Sequence, residues 1–233
     1  MPDAVSVLLL PGLLCSPRLY QEQLPALWRF GPVTIADNTR ADSISGIARQ
    51  ILAVAPPRFA LAGLSMGGYL AFEIMRQEPA RVSRLALLDT SARPDTPERS
   101  RARRRQMTLA RSGRLEEVVD GLLPLLLHRS HLEDPGLRRI VHLMAQETGV
   151  EGFLRQQEAI IGRPDSRPAL AAIRCPTLVV VGDGDALIPP EHSEEIVRGI
   201  PDAKLVQVPG AGHLPTLERP ALVTRLLGGW LGE

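Results

Sequence analysis

Ser65 stands in Gly63-Leu64-Ser65-Met66-Gly67, with Gly68 directly after, between the apolar run "RFALAGL" and the amphipathic "MGGYLAFEIMRQE". This is the G-x-S-x-G pattern in the strand–turn–helix setting that a serine nucleophile needs. On so sharp a bend the serine takes strained dihedrals, and neighbours two positions away must lack a Cβ to avoid collision. The bend lifts Oγ above the sheet edge. The helix that follows aims its N–H groups and its dipole at the same point, where an oxyanion could develop. A bystander serine in a glycine-rich turn is the competing reading, and the rest of the chain must decide between them.

A serine hydroxyl is a weak nucleophile until a base takes its proton, usually a histidine oriented by a carboxylate. His128 and His131 lie in "LLLHRSHLED" and His142 in "IVHLMA", in stretches where surface or packing roles suffice. "HRSH" has the i, i+3 spacing of a metal pair, but no further ligands surround it, so no metal is expected. His192 follows two prolines at a helix start. His213 differs: it sits in the glycine-flanked loop "VPGAGHLPTLERP", after the last apolar run and before the last helix. That is the carboxyl edge of an open sheet, where active sites assemble. Three acids compete to orient it. Asp183 and Asp185 both lie in "VVVGDGDALIPP" and Asp89 ends "RLALLD". Asp183 suits a turn cap made through its own backbone, which favours Asp185 as the partner of His213. Cys15 and Cys175 have no base beside them in sequence and read as reduced packing residues.

The elements that must position these groups follow from hydrophobic patterning. Short apolar runs at 5–10, 33–36, 59–64, 84–89, 177–182 and 204–209 read as strands, with helices at 18–28, 43–54, 66–77, 190–199 and 219–231. Most of the runs are continuous rather than alternating, as in a parallel sheet covered on both faces. From 93 to 168 no strand-like run occurs, and three or four helices are expected, broken around Gly113, Pro124, Pro135 and Gly149–Gly152. About 75 residues is too long for a connecting loop, so this segment reads as a cap over the sheet.

Bulk composition narrows the function classes. With 44% hydrophobic and 23% charged residues in 233, the chain has the make-up of a folded globule. A net charge of +1 gives no field to gather nucleic acid or anionic lipid. The basic run "RSRARRRQ" (99–106) has no interleaved aromatics and reads as a solvated helix face. The start "MPDAVSVLLLPGLLC" has no basic region and is interrupted by Pro-Gly, and no run spans a bilayer, so a cytoplasmic protein is expected.

The elbow "GLSMGG", then "GDGDALIPP", then "GAGHLPTLERP", in this order on this pattern of elements, closely resemble the α/β-hydrolase fold family from first strand to final helix. The resemblance implies an α/β fold with a mostly parallel sheet of about six strands, without the antiparallel pair many members have. An all-helical cap (93–168) would be inserted after the fourth core strand, between core segments 1–92 and 169–233. It makes Ser65 the nucleophile, Asp185 the acid and His213 the base. It also implies an oxyanion hole built from the N–H of Met66 and of Leu13, with Leu14 as the fallback. One departure stands out: Pro11-Gly12 occupies the place where the family commonly has His-Gly. Because the donor there is main-chain, the missing imidazole need not remove it. The implied activity is hydrolysis of a small or medium carboxylic ester, thioester or lactone through an acyl-enzyme, falling in acid as His213 protonates. The partner is a small-molecule substrate, and no cofactor is called for. C–C bond hydrolases, lyases and cofactor-free perhydrolases share the triad, and a slow-turnover small-molecule receptor is the more distant alternative.

Overall fold

The computed structural model describes residues 4–232. Residues 1–3 and 233, which fall in the core segments 1–92 and 169–233, lie outside the described residues. Six parallel strands form one sheet in the order β2-β1-β3-β4-β5-β6. They are β1 (Val7–Leu10), β2 (Val33–Ile35), β3 (Phe59–Leu64), β4 (Val82–Leu88), β5 (Thr177–Gly182) and β6 (Lys204–Val208). Every residue of β3 and β5 is buried, which explains their unbroken apolar sequences.

Period-two alternation splits the strands between two cores. Leu8, Leu10, Leu61 and Leu87 face one cluster with α2 (Ile44–Val54), α3 (Met66–Gln77) and α7 (Glu191–Gly199). Val7, Leu9, Ala62 and Leu88 face the other, with α9 (Pro220–Gly232) and residues of the helices that follow β4. Each fully buried leucine contributes about 1.5–3 kcal/mol of apolar burial, enough to fix the strand faces. The chain passes from β1 outward to β2 and then returns to β3 on the other side of β1. The switch point, where the carboxyl ends of neighbouring strands diverge into a crevice, therefore lies between β1 and β3.

Between β4 and β5 the described structure is helical. It comprises α4 (Pro97–Arg111), α5 (Leu115–Leu126), α6 (Pro135–Ile161) and a 3-10 turn at Arg167–Ala172. The Ser166 N–H donates to Ala92 O at 2.8 Å, stitching the departing chain to the returning one. Gly113 has φ +82 in the turn between α4 and α5, and Pro135 opens α6 just after its Asp134 cap. Gly149, at φ 69 and ψ 169, kinks α6 where a break was expected. Pro124 does not end its helix: α5 runs on to Leu126. A proline this late removes one helical hydrogen bond, and the buried Leu122, Leu123 and Leu127 hold the final turn.

The helix expected over 18–28 is also corrected. Pro17 and Pro25 interrupt the donors, and the segment forms a 3-10 turn (Pro17–Tyr20) and a single-turn α1 (Leu24–Leu27). The remaining short helix is α8 (Pro215–Glu218). Among the described residues no helix is long and apolar enough to cross a membrane.

Candidate active site

Ser65 caps α3 directly after β3, with φ 56 and ψ −113. Such a conformation costs a non-glycine residue about 1–3 kcal/mol and persists only where its surroundings fix it. Here the Ser65 N–H donates to Leu88 O at 2.9 Å, and Thr90 Oγ1 donates to Ser65 O at 2.7 Å. The glycines fill the role anticipated for them. A Cβ on Gly63 would lie 2.2 Å from Gly67 O, and one on Gly67 would lie 2.0 Å from Leu10 O. Gly68 is held as tightly, against Thr90.

His213 and Asp185 arrive from the ends of β6 and β5. His213 Nδ1 and Asp185 Oδ2 are 2.8 Å apart, both side chains buried. Asp185 Oδ1 accepts from the N–H groups of Leu187 and Ile188, each at 2.9 Å. The turn-capping role assigned to Asp183 thus belongs to Asp185. Asp183 is exposed and instead accepts from Gly210 N–H in the neighbouring loop. His213 Nε2 is buried with no hydrogen-bond partner. Both His213 and Ser65 border one cavity of ≈ 270 Å³.

Asp89, the third acid, is also here. Asp89, Asp185 and His213 each place a ligand-type atom within 4.8 Å of the others. Asp89 Oδ1 accepts from Gly182 N–H at 2.8 Å. Burial, and the negative charge of the neighbouring Asp185 carboxylate, push Asp89 well above the usual carboxylate range. Each carboxyl has one oxygen committed to backbone N–H groups, and Asp185 gives its other to the imidazole. Within the trio only Asp185 and His213 are hydrogen-bonded, and Asp89 Oδ2 is buried without a partner among the described residues.

The remaining histidines have other partners. His128 Nδ1 meets Ser130 Oγ, His142 meets Asp120 and His192 meets Ser91 Oγ. His131 pairs with the buried Glu218 at 2.9 Å. Cys15 is buried at the cavity wall, and desolvation pushes its thiol up to about 12, leaving it inert as a thiolate. Cys175 is a second free thiol, also raised by burial.

The loop after β1 separates the two oxyanion candidates. Leu14, at φ 57, donates its N–H to Gln156 Oε1 at 3.0 Å. The N–H groups of Leu13 and Met66 make no hydrogen bond among the described residues. Leu13 lines the cavity, while the Met66 side chain is buried in the core. Sequence reasoning missed the parts that hold this loop. Gln156 Nε2 donates to Asn38 Oδ1 at 2.8 Å, and Asn38 Nδ2 donates to Pro11 O at 2.9 Å. It also missed Glu218, whose Oε1 accepts from Gly212 N–H and whose Oε2 accepts from His128 N–H, each at 2.7 Å.

The basic run needs a correction as well. Arg101, Arg104 and Arg105 are exposed, but Arg99 and Arg103, four positions apart on α4, line the cavity. The spacing of one helical turn was the available signal. The rest of the wall is largely Leu, Val, Met and Ile from the helices after β4 and the loop after β5, matching the apolar pocket expected.

A family model described as the alpha/beta hydrolase family matches residues 7–226. The chain belongs to that family. It is 28% identical to a putative carbamate hydrolase RutD of Variovorax paradoxus, over 99% of this chain and 93% of the relative. It is 29% identical to a pimeloyl-[acyl-carrier protein] methyl ester esterase of Neisseria meningitidis serogroup B, over 93% of this chain and 89% of the relative. Among solved structures, a thermophilic esterase of Thermogutta terrifontis superposes with a TM-score of 0.88 at 31% identity, covering 97% of this chain and 89% of that one. This alpha/beta hydrolase is an enzyme of the hydrolase and esterase kind.

Proposed function

We propose that this enzyme hydrolyses a carboxylic ester, thioester or lactone of small to medium size through an acyl-Ser65 intermediate. The observation that carries the reading is His213, whose Nδ1 is held by Asp185 at 2.8 Å while its buried Nε2 is left without a partner beside the cavity that Ser65 also lines. His213 Nε2 takes the Ser65 proton as Oγ attacks the carbonyl carbon, and returns it to the leaving oxygen or sulfur. Water then gives a proton to Nε2, attacks the acyl carbon and releases the acid and Ser65. The Asp185 carboxylate fixes the tautomer and stabilises the imidazolium. The Leu13 and Met66 N–H groups receive the oxyanion, and the engagement of Leu14 by Gln156 favours Leu13 over its neighbour. No hydrogen bond joins Ser65 Oγ to His213 Nε2 in the structure, and such a contact commonly tightens with substrate. The helices of 93–168 act as the cap. They supply most of the apolar wall, and the Ser166–Ala92 bond closes the base of that insertion.

The test is covalent. A fluorophosphonate probe labels Ser65, identified by peptide mass, and the protein hydrolyses p-nitrophenyl butyrate. Ser65→Ala, shown to be folded by circular dichroism, loses both. Folded wild-type protein that neither labels nor turns over an ester panel overturns the reading.

A further inference from the structure

Away from Ser65 and His213 the cavity is apolar except on one wall, and that wall is cationic. Arg99, Arg103 and Gln106 come from successive turns of α4, and Tyr69 from α3 lies with them. Arg103 is drawn into the protein, its side chain only 13% exposed. Its Nε donates to Asp95 Oδ1 at 3.3 Å and its Nη1 to Gln157 Oε1 at 2.8 Å. Nη2 makes no hydrogen bond among the described residues.

Asp95 does not neutralise this wall. Its Oδ1 is shared with Arg163 Nη1 at 2.9 Å, and its Oδ2 accepts from Ser100 Oγ. One fully buried carboxylate therefore serves two buried guanidiniums, the second of which also stacks 4.4 Å from the Tyr69 ring centroid. Arg99 adds a further positive charge, and the one hydrogen bond of its guanidinium among the described residues goes to a neutral carbonyl, Leu187 O, at 2.8 Å. Burial disfavours the charged form of Arg103, the sign of a guanidinium with too little anionic compensation. An arginine fork with unused N–H groups at the wall of a largely apolar pocket is matched by a planar carboxylate.

We infer that the substrate carries a carboxylate remote from the scissile carbonyl, and that Arg99 and Arg103 receive it. This deepens the hydrolase reading and rests on it for turnover, though not for binding. The apolar stretch of cavity between serine and arginines takes the methylenes. The anion then sets the orientation in which the carbonyl meets Ser65.

The experiment compares kcat/KM for hemiesters and their neutral carboxamide counterparts, such as monoethyl glutarate and adipate against the ethyl esters of the corresponding monoamides. A second arm places the carboxylate on the alcohol side, as butyryl esters of short ω-hydroxy acids. A charged hydrogen-bonded contact of this kind corresponds to roughly a 10- to 100-fold preference for the carboxylate. That preference in either arm supports the inference and says which side of the ester carries the anion. Arg99→Met and Arg103→Met each collapse the ratio toward one. Arg99 is the safer probe, because Arg103 also belongs to the buried Asp95 cluster.

Binding is read separately. Glutarate raises the melting temperature of wild type more than glutaramide does, and Arg99→Met removes the difference. Neutral esters cleaved as well as their charged counterparts, with no selective shift by glutarate, overturn the inference and leave the hydrolase reading intact. An Arg99-dependent glutarate shift in a protein that cleaves no ester does the reverse.

Discussion

Gln156 offers the sharpest test of the oxyanion role proposed for the loop after β1. Its side chain is fully buried, accepts from Leu14 N–H at 3.0 Å and donates to Asn38 Oδ1 at 2.8 Å. Gln156→Met keeps the volume and removes both contacts. Each orphaned buried group costs about 1–3 kcal/mol, so the pair is worth about 2–6 kcal/mol before water enters from the cavity. For a chain of this size, each kcal/mol lowers the thermal midpoint by about 2–4 °C.

The kinetic consequence is more diagnostic than the stability loss. Leu14, at φ 57, is a strained residue held through its amide, and Leu13 precedes it. On the proposed mechanism, release of that amide lets the strain relax and turns the Leu13 N–H away from the reacting carbonyl. A donor lost in the transition state lowers kcat by up to about 10²–10³-fold. Because the ground state does not use that donor, kcat and kcat/KM fall together while KM holds. Steady-state kinetics on p-nitrophenyl butyrate and urea unfolding measure the two effects. A double-mutant cycle with Asn38→Ala adds a coupling of about 0.5–3 kcal/mol if the chain through Pro11 acts as a unit. Wild-type kcat and an unchanged urea midpoint in Gln156→Met refute the reasoning.

Two further outcomes follow from the geometry. Gly67→Ala, whose Cβ would fall 2.0 Å from Leu10 O, forces β1 and the elbow apart; soluble expression or Ser65 labelling collapses, and a normally labelled variant contradicts the packing. Asp89→Asn changes the pH dependence of stability. The folded state keeps the Asp89 proton to higher pH than the unfolded chain, so wild-type stability falls as pH rises above the ordinary carboxylate range. The amide removes that slope, and urea midpoints from acid to neutral pH show a flatter profile than wild type; parallel profiles show that Asp89 is ionised in the fold.

What could be read from the sequence was what is local in the chain. Gly63, Ser65 and Gly67 announce themselves within five positions, because the bend that strains Ser65 is also what demands the glycines. His213 and Asp185 were found by their places after apolar runs, and the structure puts 2.8 Å between them. The contacts that were not legible join distant segments. Gln156 meets Leu14 across 142 positions, and Glu218 meets His128 across 90. Neither residue type advertises burial, and nothing near it in sequence supplies its partner. The arginine run was visible as charge but not as phase, since which members face inward depends on how α4 packs against α5 and α6. Pro124 misled because its effect depends on distance from the helix end and on the leucines packed around it, and only the first is written locally.

The histidine loop is bonded to the helices above it as well as to the sheet below. His213 N–H donates to Leu126 O at the end of α5, and Glu218 ties Gly212 N–H to His128 N–H. Gly212 leaves no space there, since its Cβ would lie 2.5 Å from His128 N. For anyone exchanging the helices between β4 and β5 with those of a relative, the joints at Ala92 and Ser166 are therefore not the only seams. Residues 126–131 and 211–218 form a third, and a graft that swaps one without the other would deliver a new pocket with the His213 loop out of register.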